Sequence, residues 1–515
     1  MFFTFSTFSH AIMGLLAFLG QFPTSYGWLS LAFFLFVTVT ISIGNRVVYN
    51  LYFHPLAKFP GPWYAVISEF FFSYNIISGS SHLRMRALHE KYGDVVRVAP
   101  GELSFASVGS WKDVYMQRKS GAIFPKDPRF LITDDTLRAP HLVSTTDIEN
   151  HAVAKKVLSH AFAPKELLDQ EHIIHKYVDM FAVAIAEESR KGPLNFTEWY
   201  QWVTADVLGD LCFGEPFGSV EARKTNPWVA TVVNSVIFVA WDCAIGHISP
   251  LLEKSIWYIA PPSIRKSALN HYAQSRAKIQ ARIARGEGER KDFCSYIFEL
   301  RDQLDLNDWH VASYSQAMIV AGSETSATTM TILTYWLCKT PLVYEKLKQE
   351  IRSRYASSHE ITSQNTTFLP YLTAVINEIL RLVPPMSFGS PRVIPEGGET
   401  VDGHFVPGGT FVSVHGYVTA RSAKYFKDPD AFIPERWLDP EGTDNLAASS
   451  PFLLGPGLCL GINMAWMELR ILIAKMVFWF DFELAGDNSG WEHLQNYILW
   501  KKPALWVNVR TRDVT

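Results

Sequence analysis

The first 45 residues, Met1 to Asn45, contain no Asp, Glu, Lys or Arg. A run that long and that apolar has to leave water, either into a protein core or into lipid. Within it, GWLSLAFFLFVTVTISIG (Gly27 to Gly44) would span about 27 Å as a helix, most of a bilayer core. A buried core helix or a cleaved signal peptide would also produce such a run. A signal peptide is disfavoured by the missing basic n-region and by the late start of the best apolar stretch. Residues 1–45 therefore read as an uncleaved anchor with its main span at 27–44. Met1 to Phe22 adds either a second span or an interfacial segment.

Arg46 and Lys58 are the first charges after the run. They place that flank, and the remainder of the chain, on the cytosolic side. On this topology the sequons at Asn195 and Asn365 stay unmodified. Residues 46–63 include YFHPLAKFPGPW, whose prolines and glycine oppose helix and favour a stiff extended strap against the membrane face.

The remaining residues, 64–515, read as one large domain, because no linker, charge block or repeat divides them. A chain that is 48% hydrophobic, with 14% aromatic residues, has ample material for a core. Its net charge of −3 favours neither nucleic acid nor a strongly basic partner. Cys212, Cys243, Cys294, Cys338 and Cys459 are widely spaced, with no zinc-like pair and no disulfide framework, which suits a reducing compartment. Four of them are expected to be small buried hydrophobes.

Residues 64–95 look helical, and VVRVAPGELSFAS alternates like two strands about a Pro-Gly turn. Long helical patterns fill residues 108–370. Strands return at Gly403 to Tyr417, and YILWKKPALWVNVR reads as a hairpin. The fold class is mostly α with small β-sheets (α+β).

Four groups of residues carry chemical information. In PFLLGPGLCLG, glycines and prolines hold Cys459 at the mouth of a long apolar helix. Unpaired amides and the helix dipole there would stabilise a thiolate or a metal ligand. Gly455 permits the turn, and Gly461 leaves room for something flat to approach the backbone. The same residues could equally form a glycine-rich turn around an incidental thiol.

The second group is AGSETSATT, from Ala321 to Thr329, inside an apolar helix. Mid-helix polarity of this kind costs stability, and a buried Glu needs partners. Proton delivery to a ligand is a reason to keep it: Thr325 would hydrogen-bond the ligand, Glu324 would relay protons through water, and Gly322 would let the helix bend. A solvent-facing polar patch is the alternative, opposed by the apolar flanks.

Third, Glu378 and Arg381 are three apart on one helical face, and Arg436 in FIPERW would complete a buried network. A surface ion pair of little worth is the alternative. Fourth, His151 and Lys155 share a helical face and, with Arg392, would suit a dianionic ligand.

Together these residues resemble the cytochrome P-450 haem-thiolate monooxygenases, in the family's own motif order and over nearly the whole chain after the anchor. Phe452, Gly455, Cys459 and Gly461 match the haem-binding signature. Ala321, Gly322, Glu324 and Thr325 match the oxygen-activating helix. Glu378, Arg381 and Arg436 match the Glu-Arg-Arg triad. YFHPLAKFPGP, EKYGDVVRVAPGELSF and DLCFGEPFG look like the fungal, endoplasmic-reticulum-anchored branch of specialised metabolism.

The resemblance implies haem b (iron protoporphyrin IX) with Cys459 as its axial ligand and Phe452 beside the sulfur. It also implies electrons from NADPH through a separate cytochrome P-450 reductase, with Lys155, Lys156 and Lys165 available to dock its acidic face. Two departures stand out. Gly457 replaces the usual Arg or His two residues before the ligand, and His151 and Lys155 replace the common Trp and Arg. Arg392, His151 and Lys155 are left to hold the haem propionates.

The implied reaction inserts one oxygen atom into an apolar molecule, such as a terpenoid, polyketide or alkaloid intermediate, by hydroxylation, epoxidation or desaturation. Expected pocket lining comes from residues 105–140, 234–244, 384–390 and 498–500. The alternatives are a haem-thiolate isomerase or dehydratase needing no external electrons, which the Glu324-Thr325 pair opposes, and a non-catalytic haem-binding membrane protein, which Gly457 alone supports.

Overall fold

The computed structural model describes residues 24–119, 121–129, 139–249, 251–252, 255, 262–286 and 291–512. The apolar segment Met1 to Phe22 and residues 130–138 of the expected pocket lining lie outside them. Helix α1 (Thr24–Val48) continues as a π-helical turn over Tyr49–Phe53. Trp28–Phe53 is the one helix among the described residues long and apolar enough to cross a membrane, with a mean hydropathy of 1.8.

The helix thus runs past Arg46, beyond the expected end at residue 45. Only the restraint of Pro55 on the residue before it breaks the helix, and His54 is extended at φ −66, ψ 142. The strap after it is a string of turns, not an extended segment. It is fastened to strand β1 (Val95–Ala99): Arg97 N donates to Pro60 O, and Arg97 Nη1 donates to Asn50 O at 2.7 Å. A Cβ at Gly61 would collide with the Arg97 carbonyl, so only glycine allows this approach.

The helical body comprises α2 (Phe70–Ile77), α3 (Ile148–Ser159), α4 (Glu171–Glu188), α5 (Phe196–Phe213), α6 (Pro227–Ile248), α7 (Pro262–Arg285), α8 (Asp308–Lys339), α9 (Pro341–Arg354), α10 (Pro370–Leu382) and α11 (Ile462–Trp479). Their ends follow local chemistry. Asn307 caps α8 through the Trp309 and His310 amides, proline opens α6, α9 and α10, and left-handed Gly214 closes α5. Helices α4, α5, α8, α10 and α11 bury one continuous apolar core. Helix α8 is α-helical from end to end. A Cβ at Gly322 would lie 2.5 Å from Leu208 Cδ1, and the glycine serves the close approach of α5.

The strands are β1, β2 (Glu102–Phe105), β3 (Leu194–Asn195), β4 (Arg392–Val393), β5 (Glu399–Val401), β6 (His404–Val406), β7 (Phe411–Val414), β8 (Phe480–Leu484), β9 (Gln495–Tyr497), β10 (Leu499–Lys501) and β11 (Trp506–Thr511). The main sheet has the order β1-β2-β7-β4, with the β1–β2 hairpin turning at Pro100-Gly101 and β2 parallel to β7. Strand β11 pairs with β8 and β3, and β9 pairs with β10 about Ile498, whose φ is 75. The expected hairpin over Tyr497 to Arg510 is therefore two separate pairings. After Lys501 the chain is diverted to the start of α5, where Thr197 Oγ1 donates to Pro503 O at 2.7 Å.

Candidate functional site

Cys459 sits in a loop closed on itself. Its amide donates to Phe452 O at 2.9 Å, and Leu458 N donates to Gly455 O. Gly455 has φ 62, and a Cβ there would lie 2.5 Å from Tyr115 O, so both the turn and the packing demand glycine. At Gly461 the nearest protein atom to a Cβ is Phe162 Cε1 at 3.7 Å, so the protein itself does not exclude a side chain there. Phe452 packs towards Trp466, with ring centroids 6.5 Å apart.

The Cys459 thiol is exposed, yet burial is the dominant influence on it and pushes its pKa up. Both statements hold if the sulfur lies in a recess: surrounding atoms remove water, but none covers it. The Gly461 amide pulls the other way without prevailing. Helix α11 starts at Ile462, and the Gly461 amide is the backbone donor acting on the sulfur. A thiolate at Cys459 needs a cation, and a metal ion would provide one. The other four cysteines are free, with Cys212, Cys243 and Cys294 buried and Cys338 partly so.

Beside the loop lies a set of cations. Lys155, on α3, donates from Nζ to Pro456 O at 2.9 Å. Arg392, on β4, is 6% exposed and packs against Gly457, where a Cβ would lie 2.9 Å from its Nη2. Its Nη1 is buried without a partner. Lys126, which the sequence reading passed over, bridges to Arg392 through the backbone. Its Nζ donates to Leu142 O and Val143 O.

Burial, with Arg392 adding to it, brings the Lys126 pKa down to about 7. Burial, with Lys126, Lys155 and Arg392, pulls His151 down to about 4. Those neighbouring cations oppose a further positive charge on His151. Among the described residues, no carboxylate acts on Lys126, His151 or Arg392. A buried positive cluster with an orphaned guanidinium nitrogen fits a dianion, as the two propionates of a haem would be. The space at Gly457 that a cation usually fills is taken by Arg392 from another strand. Because Lys155 is turned inward, Lys156 and Lys165 are the exposed members of the expected docking trio.

On α8, Ala321 is exposed and Gly322 and Thr325 are partly so, although the helix is otherwise largely core. Thr325 Oγ1 donates to Ala321 O at 2.6 Å. Glu324 is turned off this face and buried, and its carboxylate is paired with Lys502. The sequence reading had no partner for it, since the two are far apart along the chain.

Glu378, Arg381 and Arg436 come together. Arg381 binds Glu378 with two parallel hydrogen bonds of 2.8 Å, and Arg436 Nε donates to Glu378 Oε1 at 3.1 Å. Trp437 Nε1 and Ile433 N complete the carboxylate's partners, while Arg381 Nη1 donates to Ala420 O and Pro429 O. Each charge has several partners, which is how a buried network avoids net cost.

Of the expected lining, Met386, Phe388 and Ile498 are partly open, but Trp500 is core and donates Nε1 to Pro384 O. One other group could hold a metal, Glu102, Asp127 and His247. Arg129 already serves it as a counter-charge, donating to Asp127 at 2.8 Å and Glu102 at 3.3 Å.

Comparison with known proteins adds to this geometry. The family model described as Cytochrome P450 matches residues 58–507. The chain is 36% identical to cytochrome P450 monooxygenase astJ of Aspergillus oryzae, over 91% of this chain and 95% of the relative. It is 37% identical to cytochrome P450 monooxygenase aba2 of Botryotinia fuckeliana, over 92% and 94%. With cytochrome P450 monooxygenase prhB of Penicillium brasilianum the identity is 36%, over 93% and 98%.

Proposed function

The chain belongs to the cytochrome P450 family, and on that premise we propose that it is a monooxygenase of fungal secondary metabolism acting on an apolar small molecule. In hydroxylation or epoxidation one oxygen atom from O2 enters the substrate; in desaturation two hydrogens leave the substrate and both oxygen atoms end as water. The observation that carries this reading is the exposed Cys459 in its glycine-rich loop, beside a cluster of Arg392, Lys126 and Lys155 in which the buried Arg392 Nη1 has no hydrogen-bond partner.

Haem b, held through Cys459, would supply the iron and the chemistry of oxygen activation. Arg392, Lys126 and Lys155 would hold its carboxylates, with His151 beside them. Phe452, Gly455 and Gly461 shape the proximal side. Ala321 and Gly322 would line the space over the haem with Thr325 handling protons there, and Glu324, buried behind that face, would relay protons to it. Met386, Phe388 and Ile498 exclude water and orient the substrate. Glu378, Arg381 and Arg436 keep the loop's support rigid.

Electrons come from NADPH through a separate reductase docked near Lys156 and Lys165. The anchor holds the enzyme to the endoplasmic reticulum, with the catalytic domain in the cytosol.

A reduced carbon-monoxide difference spectrum tests the reading. The full chain gives a thiolate signature, and Cys459→Ala loses it. NADPH consumption with added reductase and candidate terpenoid, polyketide or alkaloid substrates then separates oxygenation from electron-free isomerisation. A haem-loaded protein with another axial donor would overturn the assignment.

A further inference from the structure

Lys502 reaches Glu324 from the far end of the chain. Its Nζ donates to Glu324 Oε1 and, at 2.9 Å, to Thr328 Oγ1 one turn along α8. Both charged side chains are 3% exposed. Glu324 Oε2, the other carboxylate oxygen, is buried and has no partner. The two oxygens of one carboxylate therefore differ: one is pinned, the other free.

The lysine's backbone is fastened on both sides. Before it, Trp500 Nε1 donates to Pro384 O at 2.7 Å. After it, Pro503 O accepts from Thr197 Oγ1 at 2.7 Å. Two residues before Trp500 is Ile498, the turn of the β9–β10 hairpin and a partly open apolar side chain. The ammonium position is thereby set by the same short segment that presents Ile498.

A half-satisfied buried ion pair is a poor way to stabilise a fold, because desolvation of both ions offsets their attraction. An apolar pair of similar volume would serve the core as well. What the pair does achieve is to fix which of the two carboxylate oxygens faces the ammonium.

We propose that Lys502 is a positioning residue for Glu324: it holds the group as a carboxylate, pins Oε1, and leaves Oε2 as the atom through which a proton enters and leaves. The proposal rests on the monooxygenase reading above. A proton taken up at Oε2 gives the neutral acid, and its departure from the same oxygen restores the carboxylate. Lys502 keeps its three protons throughout, and no electron moves.

The test is infrared spectroscopy of the purified, haem-loaded full chain, reading the carbonyl stretch that a protonated carboxyl has and a carboxylate lacks. At neutral pH the parent shows no band from Glu324. Lys502→Met gains one, Lys502→Arg does not, and Lys502→Met with Glu324→Gln loses it again. Product formed per NADPH falls about 10²-fold in Lys502→Met, the lower end of what a positioned proton group contributes, and Lys502→Arg recovers most of it. Should Lys502→Met fail to accumulate, Lys502→Gln gives the same readout with a polar side chain of similar length.

A parent already showing the Glu324 band, or a Lys502→Met and Lys502→Gln pair lacking it, overturns the proposal. The carbon-monoxide spectrum of the parent, read separately, decides the monooxygenase reading on its own.

Discussion

Arg392 lies against Gly457, its Nη2 2.9 Å from where a Cβ at that position would be, while its Nη1 has no partner. An unpaired buried guanidinium penalises the chain until an anion reaches it. Arg392→Met should therefore act in opposite directions on the two forms. The haem-free protein becomes more stable, with a higher Tm. The loaded protein loses haem faster, by at least about 10-fold, as truncating one side of a buried charge pair costs about 2–5 kcal/mol. Thermal unfolding of both forms and haem transfer to an acceptor protein check this; an equal drop in both Tm values would contradict it.

Gly322 and Leu208 make the tightest crossing between α5 and α8. Gly322→Ala should overpack it and destabilise the protein by about 1–3 kcal/mol. Leu208→Val should relieve part of that, so the double variant is more stable than the sum of the singles by about 0.5–3 kcal/mol. Urea unfolding of the four proteins measures the coupling, and strict additivity would mean that the two residues do not touch.

His82 is 3% exposed, lies edge-on to Trp500 and Tyr417, and is pulled by burial down to about 4. Its folded pKa is depressed, so between pH 6.5 and about 4 the unfolded chain binds a proton that the folded chain does not. Stability is therefore intact above 6.5 and falls as the solution is acidified, at about 1.4 kcal/mol per pH unit from this group. His82→Phe should flatten the slope of stability against pH in that window. A slope unchanged by the substitution would show that other groups set it.

Arg97 is fully buried and spends one donor on the carbonyl of Asn50. A chain started at Arg46 keeps that acceptor and should unfold at the same urea concentration as the full protein. One started at Lys58 loses it and leaves a buried donor unsatisfied, at a cost of about 1–3 kcal/mol. Equal midpoints for the two truncations would refute this.

Much of the architecture was readable because its causes are local. The Pro-Gly turn at residues 100–101 and the Gly-rich approach to Cys459 carry their conformations in adjacent residues. The Glu378–Arg381 pair follows from helical spacing alone. What escaped notice depends on contacts between distant segments. Lys502 and Lys126 stand in runs with no periodic signal, and only the folded chain brings them to Glu324 and Arg392. Gly322 looked like a hinge because its reason, Leu208, belongs to another helix. The final hairpin was misplaced because strand alternation says where a strand is, not which neighbour it takes.

The Arg97 clasp on the strap also has a mechanical consequence. With Asn50 and Pro60 both fastened to β1, the end of the apolar N-terminal helix is tied to the body at two points, and a force that tilts the helix would be passed to the body through this clasp.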